Sequence, residues 1–252
     1  MIDTTRRIFA KTASWKLLGF ITIMILSYAV TASLQEATLV AIAYHTMMFM
    51  LYFVHEKAWS RIKWGRTCGL FIQMTGLSGA GKTTIAKEVG ERLKRRGLQV
   101  EIIDGDEYRK NLCSDLGFSR KDREENIKRL SFVGKVLTRN NVIGIMSAIN
   151  PYNSTREYIK KDNKNSGLVY VKCDLEEVIR RDTKGLYKRA FLPDNDPDHI
   201  PNFTGISDVF EHPVQYDLHI NTEKLTEAQA TIKLEKFILN RITQQKEIKN
   251  GY

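Results

Sequence analysis

Cysteine is scarce: Cys68, Cys113 and Cys173 are the only three in 252 residues, and no Cys-x-x-Cys pair occurs. An odd, widely spaced set argues against a disulfide framework and against a cysteine-built zinc site. It points to reduced thiols in a cytosolic environment. Proline is missing from the first 150 residues; all five lie beyond them, and Pro193, Pro197 and Pro201 share one polar segment. A long irregular stretch of that kind is expected to be a lid over a site. Internal repeats and low-complexity tracts are absent. Charge is absent from Leu17 to Leu34 and, after Gln35 and Glu36, from Ala37 to Val54. The composition of the whole chain is that of a folded protein, 42% hydrophobic and 27% charged, which excludes wholesale disorder. The formal net charge of +10 favours an anionic partner without choosing among nucleotide, nucleic acid and membrane surface.

The two uncharged runs are each near the minimum length of a bilayer-spanning helix, about 17–25 residues. Basic residues flank them: Arg6, Arg7, Lys11 and Lys16 before, Lys57, Arg61, Lys63 and Arg66 after, with only Glu36 in the turn. By the positive-inside rule both ends face the cytoplasm, and Trp15, Trp59 and Trp64 sit at that end as interfacial aromatics. Residues 17–54 are therefore expected to span the lipid bilayer. His45, within the second run, is expected to be a neutral, hydrogen-bonded imidazole. The stretch 1–64 also resembles a small family of bacterial membrane domains with an Arg/Lys and Trp entry and a closing Tyr-x-x-His-Glu-x-x-Trp, here Tyr52, His55, Glu56 and Trp59.

From Gly69 onward strands and helices alternate. The expected strands are Leu70–Thr75, Val100–Ile103, Val142–Ala148, Leu168–Val171 and Leu218–Ile220. The expected helices are Lys82–Arg95, Asp122–Arg139, Leu175–Arg181 and Thr226–Ile242. Such alternation predicts a parallel sheet covered by helices on both faces. The fold class is thus an α/β P-loop kinase (residues 65–252) preceded by an α-helical transmembrane hairpin (1–64).

Residues 76–83 read GLSGAGKT, a phosphate-binding loop between a strand and a helix. Gly76, Gly79 and Gly81 let the backbone curl so that N–H groups face phosphate oxygens, and the helix N-terminus adds attraction for anions. Lys82 would reach the outer phosphates of ATP and Thr83 would ligate Mg²⁺. No Asn-Lys-x-Asp guanine motif occurs; Asp162-Asn163-Lys164 reads as a charged turn. The chain after Gly69 is short for a large ATPase core, so a small kinase with a mobile lid fits best.

The second strand ends in Asp104-Gly105-Asp106, read as an acidic turn at the carboxyl edge where open α/β sheets bind ligands. One carboxylate can organise Mg²⁺ and the other can accept a hydroxyl proton. Arg109, Phe118, Arg123 and Asn126 follow, a set suited to an anionic nucleotide acceptor.

On six ordered blocks the chain from about Gly69 to Thr222 resembles the adenylylsulfate kinase family. They are GLSGAGKTT (76–84), DGDEYR (104–109), LGFSRKDREENIKR (116–129), INPY (149–152), RDTKGLYKRA (181–190) and NFTGISDVFEHP (202–213). The resemblance implies transfer of the ATP γ-phosphoryl to the 3′-hydroxyl of adenylylsulfate. It implies that Gly76, Gly79, Ala80, Gly81, Lys82, Thr83 and Thr84 hold ATP, with Thr83 and Asp104 on Mg²⁺. Lys82, Asp104 and Asp106 would be catalytic, Asp106 as the base. Arg109, Arg123 and Asn126 would hold phosphosulfate and ribose, and Phe118 and Phe203 would sandwich the adenine. Ile149, Asn150, Lys184 and Asn202 would complete the acceptor pocket. A homodimer and no nucleic-acid partner follow from the same likeness. The site would lie on the cytoplasmic face of the inner membrane.

Two departures stand out. Asn150 occupies a position where the family commonly has serine, which favours direct transfer without a phosphoserine. The segment between Ala190 and Phe203 is several residues longer than the usual lid. A different nucleotide-linked or sugar acceptor, and a non-catalytic ATP sensor, are the alternatives these departures leave.

Overall fold

The computed structural model describes residues 5–29, 34–62 and 68–250, and the chain divides into two compact units, Met1–Arg66 and Thr67–Tyr252. In the first unit, helix α1 (Thr5–Ala29) is followed by helix α2 (Leu34–Arg61). Tyr52, His55, Glu56 and Trp59 are spaced i, i+3, i+4 and i+7, so they share one face of α2. That face meets the start of α1. Lys11 Nζ donates to Glu56 Oε1 at 2.9 Å, and Ser14 Oγ lies 2.9 Å from His55 Nε2. The rings of Trp15 and Tyr52 meet edge-on at 4.9 Å. Arg7 donates to the carbonyls of Trp59 and Ile62, and its guanidinium lies 5.3 Å over the Trp59 ring. Partners that descend along α2 as they ascend α1 make the pair antiparallel.

Two bilayer-spanning helices were the expectation for residues 17–54. The helices are present, but among the described residues none is long and apolar enough to cross a membrane. Charged side chains crowd the described ends: Lys11 and Lys16 on α1, and Glu56, Lys57 and Arg61 on α2. The side chains of Glu36 and His45, and residues Lys63, Trp64 and Arg66, lie outside the described residues.

In the second unit, β1 (Leu70–Thr75), β2 (Val100–Asp104), β3 (Ile143–Ser147), β4 (Ser166–Lys172) and β5 (Leu218–Asn221) form one sheet in the order β2-β3-β1-β4-β5. Every pairing is parallel. The register aligns Asp104 with Ser147 and Ser147 with Met74, so three neighbouring strands end level. Helices α3 (Lys82–Arg95), α4 (Gly105–Asn111), α5 (Arg120–Arg139), α6 (Asn153–Asp162), α7 (Leu175–Arg181), α8 (Leu186–Ala190) and α9 (Glu227–Asn250) complete the unit.

The two-residue period of β1 sorts its side chains to opposite faces. Leu70, Ile72 and Met74 join a core with Ile85, Val89 and Leu93 of α3 and Leu234 and Ile238 of α9. Phe71 points the other way, into a smaller core with Ile103, Met146, and Ile127 and Leu130 of α5. The one amide in this strand, Gln73, is paired at both ends: it donates to the Arg156 carbonyl at 3.2 Å and accepts from Asn150 at 3.1 Å.

Several elements differ from expectation. The Asp104–Asp106 stretch is no free turn: Asp104 ends β2 and caps α4, accepting from the backbone N–H groups of Asp106 and Glu107. Helix α5 begins two residues before the expected Asp122, because the Ser119 hydroxyl accepts from Asp122 N–H and sets the cap one step earlier. Helix α6 follows Pro151-Tyr152 with no side-chain cap, and so carries no start signal. Helix α8 is only five residues long; its first turn is held by the Asp182 carboxylate, which accepts from Tyr187 and Lys188 N–H groups.

Gly134 of α5 sits against Phe71, and a Cβ there would lie 2.2 Å from the ring. Gly134→Ala is therefore expected to destabilise the protein by about 2 kcal/mol through overpacking, read as a lower denaturant midpoint. An unchanged midpoint would mean that the two layers are not packed at this distance.

Candidate active site

The loop that joins β1 to α3 starts where the backbone is crowded. A Cβ at Gly76 would stand 2.3 Å from the Val171 carbonyl oxygen of β4, so only glycine lets the chain leave the sheet there. Gly81, at φ +87°, supplies the left-handed residue before α3. Gly76 N–H donates to the Ile149 carbonyl at 3.2 Å, and the Thr75 hydroxyl donates to the carbonyls of Ile149 and Asn150. The loop is thus fastened to the end of β3.

Lys82 is buried and donates to the carbonyls of Gly76 and Leu77 at 2.9 and 2.7 Å. Burial, reinforced by the nearby Lys184 charge, lowers its pKa to about 8, while Asp106 and Asp104 oppose the shift. Thr83, one residue on, donates to Asp104 Oδ2 at 3.0 Å and lies 2.9 Å from the Ser147 hydroxyl. The level strand ends bring these three oxygens together. Asp104 serves two tasks at once, because Oδ1 caps α4 while Oδ2 faces Thr83. Hard oxygen donors of this kind suit Mg²⁺, which also keeps waters and substrate phosphates as ligands. Thr83 and Asp104 therefore fit the ion assigned to them, and Ser147 joins them. Ser147 was not among the expected site residues; the β2–β3 pairing, which sets it opposite Asp104, places its hydroxyl here. Ala80 is buried in the loop and Thr84 is exposed on α3.

Across the cleft, Asp106 forms an ion pair with Lys184, which links the start of α4 to the turn before α8. Arg109 donates to the carbonyls of Leu116 and Gly117, and its guanidinium lies 4.6 Å from the Phe118 ring centroid. Arg123 lies 5.5 Å from the same ring. Arg123 is buried; its Nε donates to the Phe118 carbonyl at 3.1 Å and its Nη2 to the Asn202 carbonyl. Burial pushes its pKa down, opposed by Asp208. Asn126 is buried beside it in sequence, with Oδ1 making no hydrogen bond among the described residues. These groups form one cationic subsite with donors to spare.

Other expected acceptor residues are placed differently. Phe118 is 52% exposed while Phe203 is buried, edge-on to Tyr187 at 5.0 Å. Asn150 is completely buried. Its Nδ2 donates to Gln73, its Oδ1 accepts from Thr155 at 2.7 Å, and its carbonyl accepts from Arg156 Nε at 3.0 Å. It holds the β3–α6 loop from within instead of lining a pocket with its side chain. Ile149 contributes its carbonyl to the phosphate loop, as described. Residues that sequence reasoning passed over include Tyr187, whose hydroxyl donates to the Ser78 carbonyl at 3.0 Å, and Asp208 and Tyr152, which pair with each other at 2.8 Å. All three lie inside the blocks RDTKGLYKRA, NFTGISDVFEHP and INPY, but nothing in their spacing marked them.

A cavity of about 460 Å³ opens nearby, lined by Leu77, Tyr170, Cys173, Leu175, Ile206 and Phe210 among others. Lys82, Thr83, Asp104 and Arg123 are not in its wall, so it borders the phosphate loop without being the centre of the polar site.

The lowered pKa of Lys82 yields a pH prediction. Below about 8 the ammonium is charged and available to phosphate; above it the charge is lost. ATP affinity is expected to fall as pH rises through that value, by up to about tenfold per unit, measured by titration calorimetry between pH 7 and 9.5. A flat profile would show that Lys82 stays charged throughout.

A family model described as adenylylsulphate kinase matches residues 68–221, more than half of the 252-residue chain. A second, described as a predicted membrane protein, matches residues 9–60. A probable adenylyl-sulfate kinase of Pseudomonas aeruginosa is 47% identical over 158 residues, covering 63% of this chain and 72% of its own. The adenylyl-sulfate kinase of Picosynechococcus is 46% identical over 165 residues, covering 66% and 90%. Among solved structures, the Mycobacterium tuberculosis APS kinase CysC in complex with AMPPNP and APS aligns with a TM-score of 0.62 at 32% identity, over 68% of this chain and 98% of that one. With the phosphate loop, the parallel sheet and these matches together, the chain belongs to the adenylylsulfate kinase family.

Proposed function

We propose that this protein transfers the γ-phosphoryl group of ATP to the 3′-hydroxyl of adenylylsulfate, giving 3′-phosphoadenylylsulfate and ADP. The observation that carries the reading is the gathering of Lys82 and the Thr83–Asp104–Ser147 oxygens at the end of the phosphate loop, followed along the chain by the Asp106–Lys184 pair and by Arg109 and Arg123 over the Phe118 ring. In this reading the loop N–H groups and Lys82 hold the ATP phosphates, and Thr83 and Asp104 hold Mg²⁺. When bound there, the ion would supply positive charge against the ATP phosphates. Arg109, Arg123 and Asn126 orient the acceptor's phosphosulfate and ribose. Asp106 takes the proton of the 3′-hydroxyl as its oxygen bonds to the γ-phosphorus and the bond from that phosphorus to ADP breaks, and Lys184, already paired with Asp106, aims that carboxylate. Phe118 stacks on the acceptor base, with Phe203 closing the pocket behind it. Ile149, Asn150 and Asn202 act through their backbone and loop geometry. Asn150 is buried and amide-paired, so it offers no hydroxyl to carry a phosphoryl group, which supports direct in-line transfer.

The test is the purified full chain with ATP and adenylylsulfate, scored by formation of the 3′-phosphorylated product. Turnover is expected; a folded protein that binds ATP and yields no product would overturn the reading. Asp106→Asn is expected to lower kcat about 100-fold, the scale of a general base, with ATP affinity little changed. An undiminished kcat would remove Asp106 from the proton transfer.

The same proposal anchors the chain in the inner membrane, with residues 17–54 in the bilayer and the kinase unit facing the cytoplasm. It rests on the match of residues 9–60 to a membrane family and on the basic flanks. A homodimer belongs to this reading and is measurable by light scattering. On cell fractionation the full chain is expected in the membrane pellet and released by detergent. Recovery in the soluble fraction would refute the anchor.

A further inference from the structure

The buried Arg123 guanidinium needs an anion, and the structure supplies one from a distant part of the chain. Asp208 Oδ2 lies 3.4 Å from Arg123 Nε. The same oxygen accepts from the Tyr152 hydroxyl at 2.8 Å and lies 3.5 Å from the Thr204 hydroxyl. Tyr152 is itself buried, and burial first, then Asp208, pushes its phenol up to about 12, so at neutral pH it stays a donor. Nε gives its single N–H to the Phe118 carbonyl, so Asp208 meets the guanidinium as an ion pair, and Nη2 donates to the Asn202 carbonyl. Nη1 makes no hydrogen bond to the described residues. Three chain segments thus hold one guanidinium and leave one nitrogen for an outside acceptor. Pairing a buried charge also removes much of the cost of burying it.

We propose that Asp208, steadied by Tyr152, is a positioning residue that aims Arg123 Nη1 at the anionic group of the acceptor. The proposal rests on the acceptor reading above. Asp208 touches Arg123 from behind, so its loss leaves ATP binding alone and loosens only the acceptor.

The experiment is steady-state kinetics on the full chain with each substrate varied in turn, for Asp208→Asn, Tyr152→Phe, Arg123→Ala and the Arg123→Ala/Asp208→Asn double variant. Asp208→Asn is expected to raise the KM for adenylylsulfate about tenfold and to move the KM for ATP by less than about twofold. Tyr152→Phe, which deletes one oxygen, gives the same split in smaller measure, about threefold. In the Arg123→Ala background, Asp208→Asn adds almost nothing, because the group it acts through is gone. An unchanged adenylylsulfate KM, both KM values rising together, or additive effects in the double variant would each overturn the proposal. Should Asp208→Asn fail to fold, Tyr152→Phe decides alone by the same split. If Arg123→Ala raises the adenylylsulfate KM and the Asp208 and Tyr152 variants do not, the positioning role fails while the acceptor reading stands. If the unaltered chain does not turn over adenylylsulfate, both fall.

Discussion

The kinase unit depends on one close approach, that of the Gly76 backbone to the Val171 carbonyl at the carboxyl edge of the sheet. A chain leaving a buried parallel strand must turn at once or strand its N–H groups without partners. Here the turn is fastened on one side by Gly76 N–H to the Ile149 carbonyl and on the other by the Tyr187 hydroxyl to the Ser78 carbonyl. The loop is therefore preorganised by neighbouring strands and by the α7–α8 region together. Preorganised dipoles stabilise a phosphoryl group without reorganising during the reaction.

Charge is arranged with the same economy. Of the cations assigned to the site, Lys82 is buried, Arg109 half-buried and Lys184 exposed, and each is tied to carbonyls or a carboxylate. Lys82 leans on two loop carbonyls, Arg109 on two more, and Lys184 on Asp106. Arg156, buried beneath the site, is saturated by the Asn150 and Pro151 carbonyls and the Asn153 amide oxygen; burial lowers its pKa to about 10. Arg156 thus holds the β3–α6 loop, whereas Arg123 keeps a donor unspent. The number of internal partners, more than the charge itself, separates a structural guanidinium from one that binds ligand.

The first unit obeys a different logic. Its Tyr-x-x-His-Glu-x-x-Trp run is one helical stripe, and its members meet Trp15, Ser14, Lys11 and Arg7 of α1 in turn. Ion pair, hydroxyl–imidazole contact and edge-on rings succeed one another along the seam. The motif is therefore accounted for by helix pairing, with no chemistry of its own required.

Much of the kinase unit was legible along the chain. Periodicity and turn residues located all five strands, and the limits of α3 and α7 agree with the helices in the structure. These features are local: apolar alternation, a glycine-rich loop, a cap. The nucleotide side was equally plain, because one contiguous stretch, Gly76–Thr84, carries it. The acceptor side was legible only as types of residue. Which arginine keeps a nitrogen without an internal partner, and which asparagine turns inward, depends on contacts far apart in sequence: Arg123 with Asp208, Asn150 with Gln73, Thr83 with Ser147. Short helices such as α6 and α8 escaped because five to ten residues carry too little periodic signal. From sequence alone came the phosphate loop, the parallel α/β order and the family. Tertiary structure decided that Asp104 caps a helix while facing Thr83, that Asn150 is a buried brace, and that Asp208 stands behind Arg123. The physical reason is that hydrogen bonds and buried ion pairs are settled by distance in space, which strand register and loop closure set only once the chain has folded.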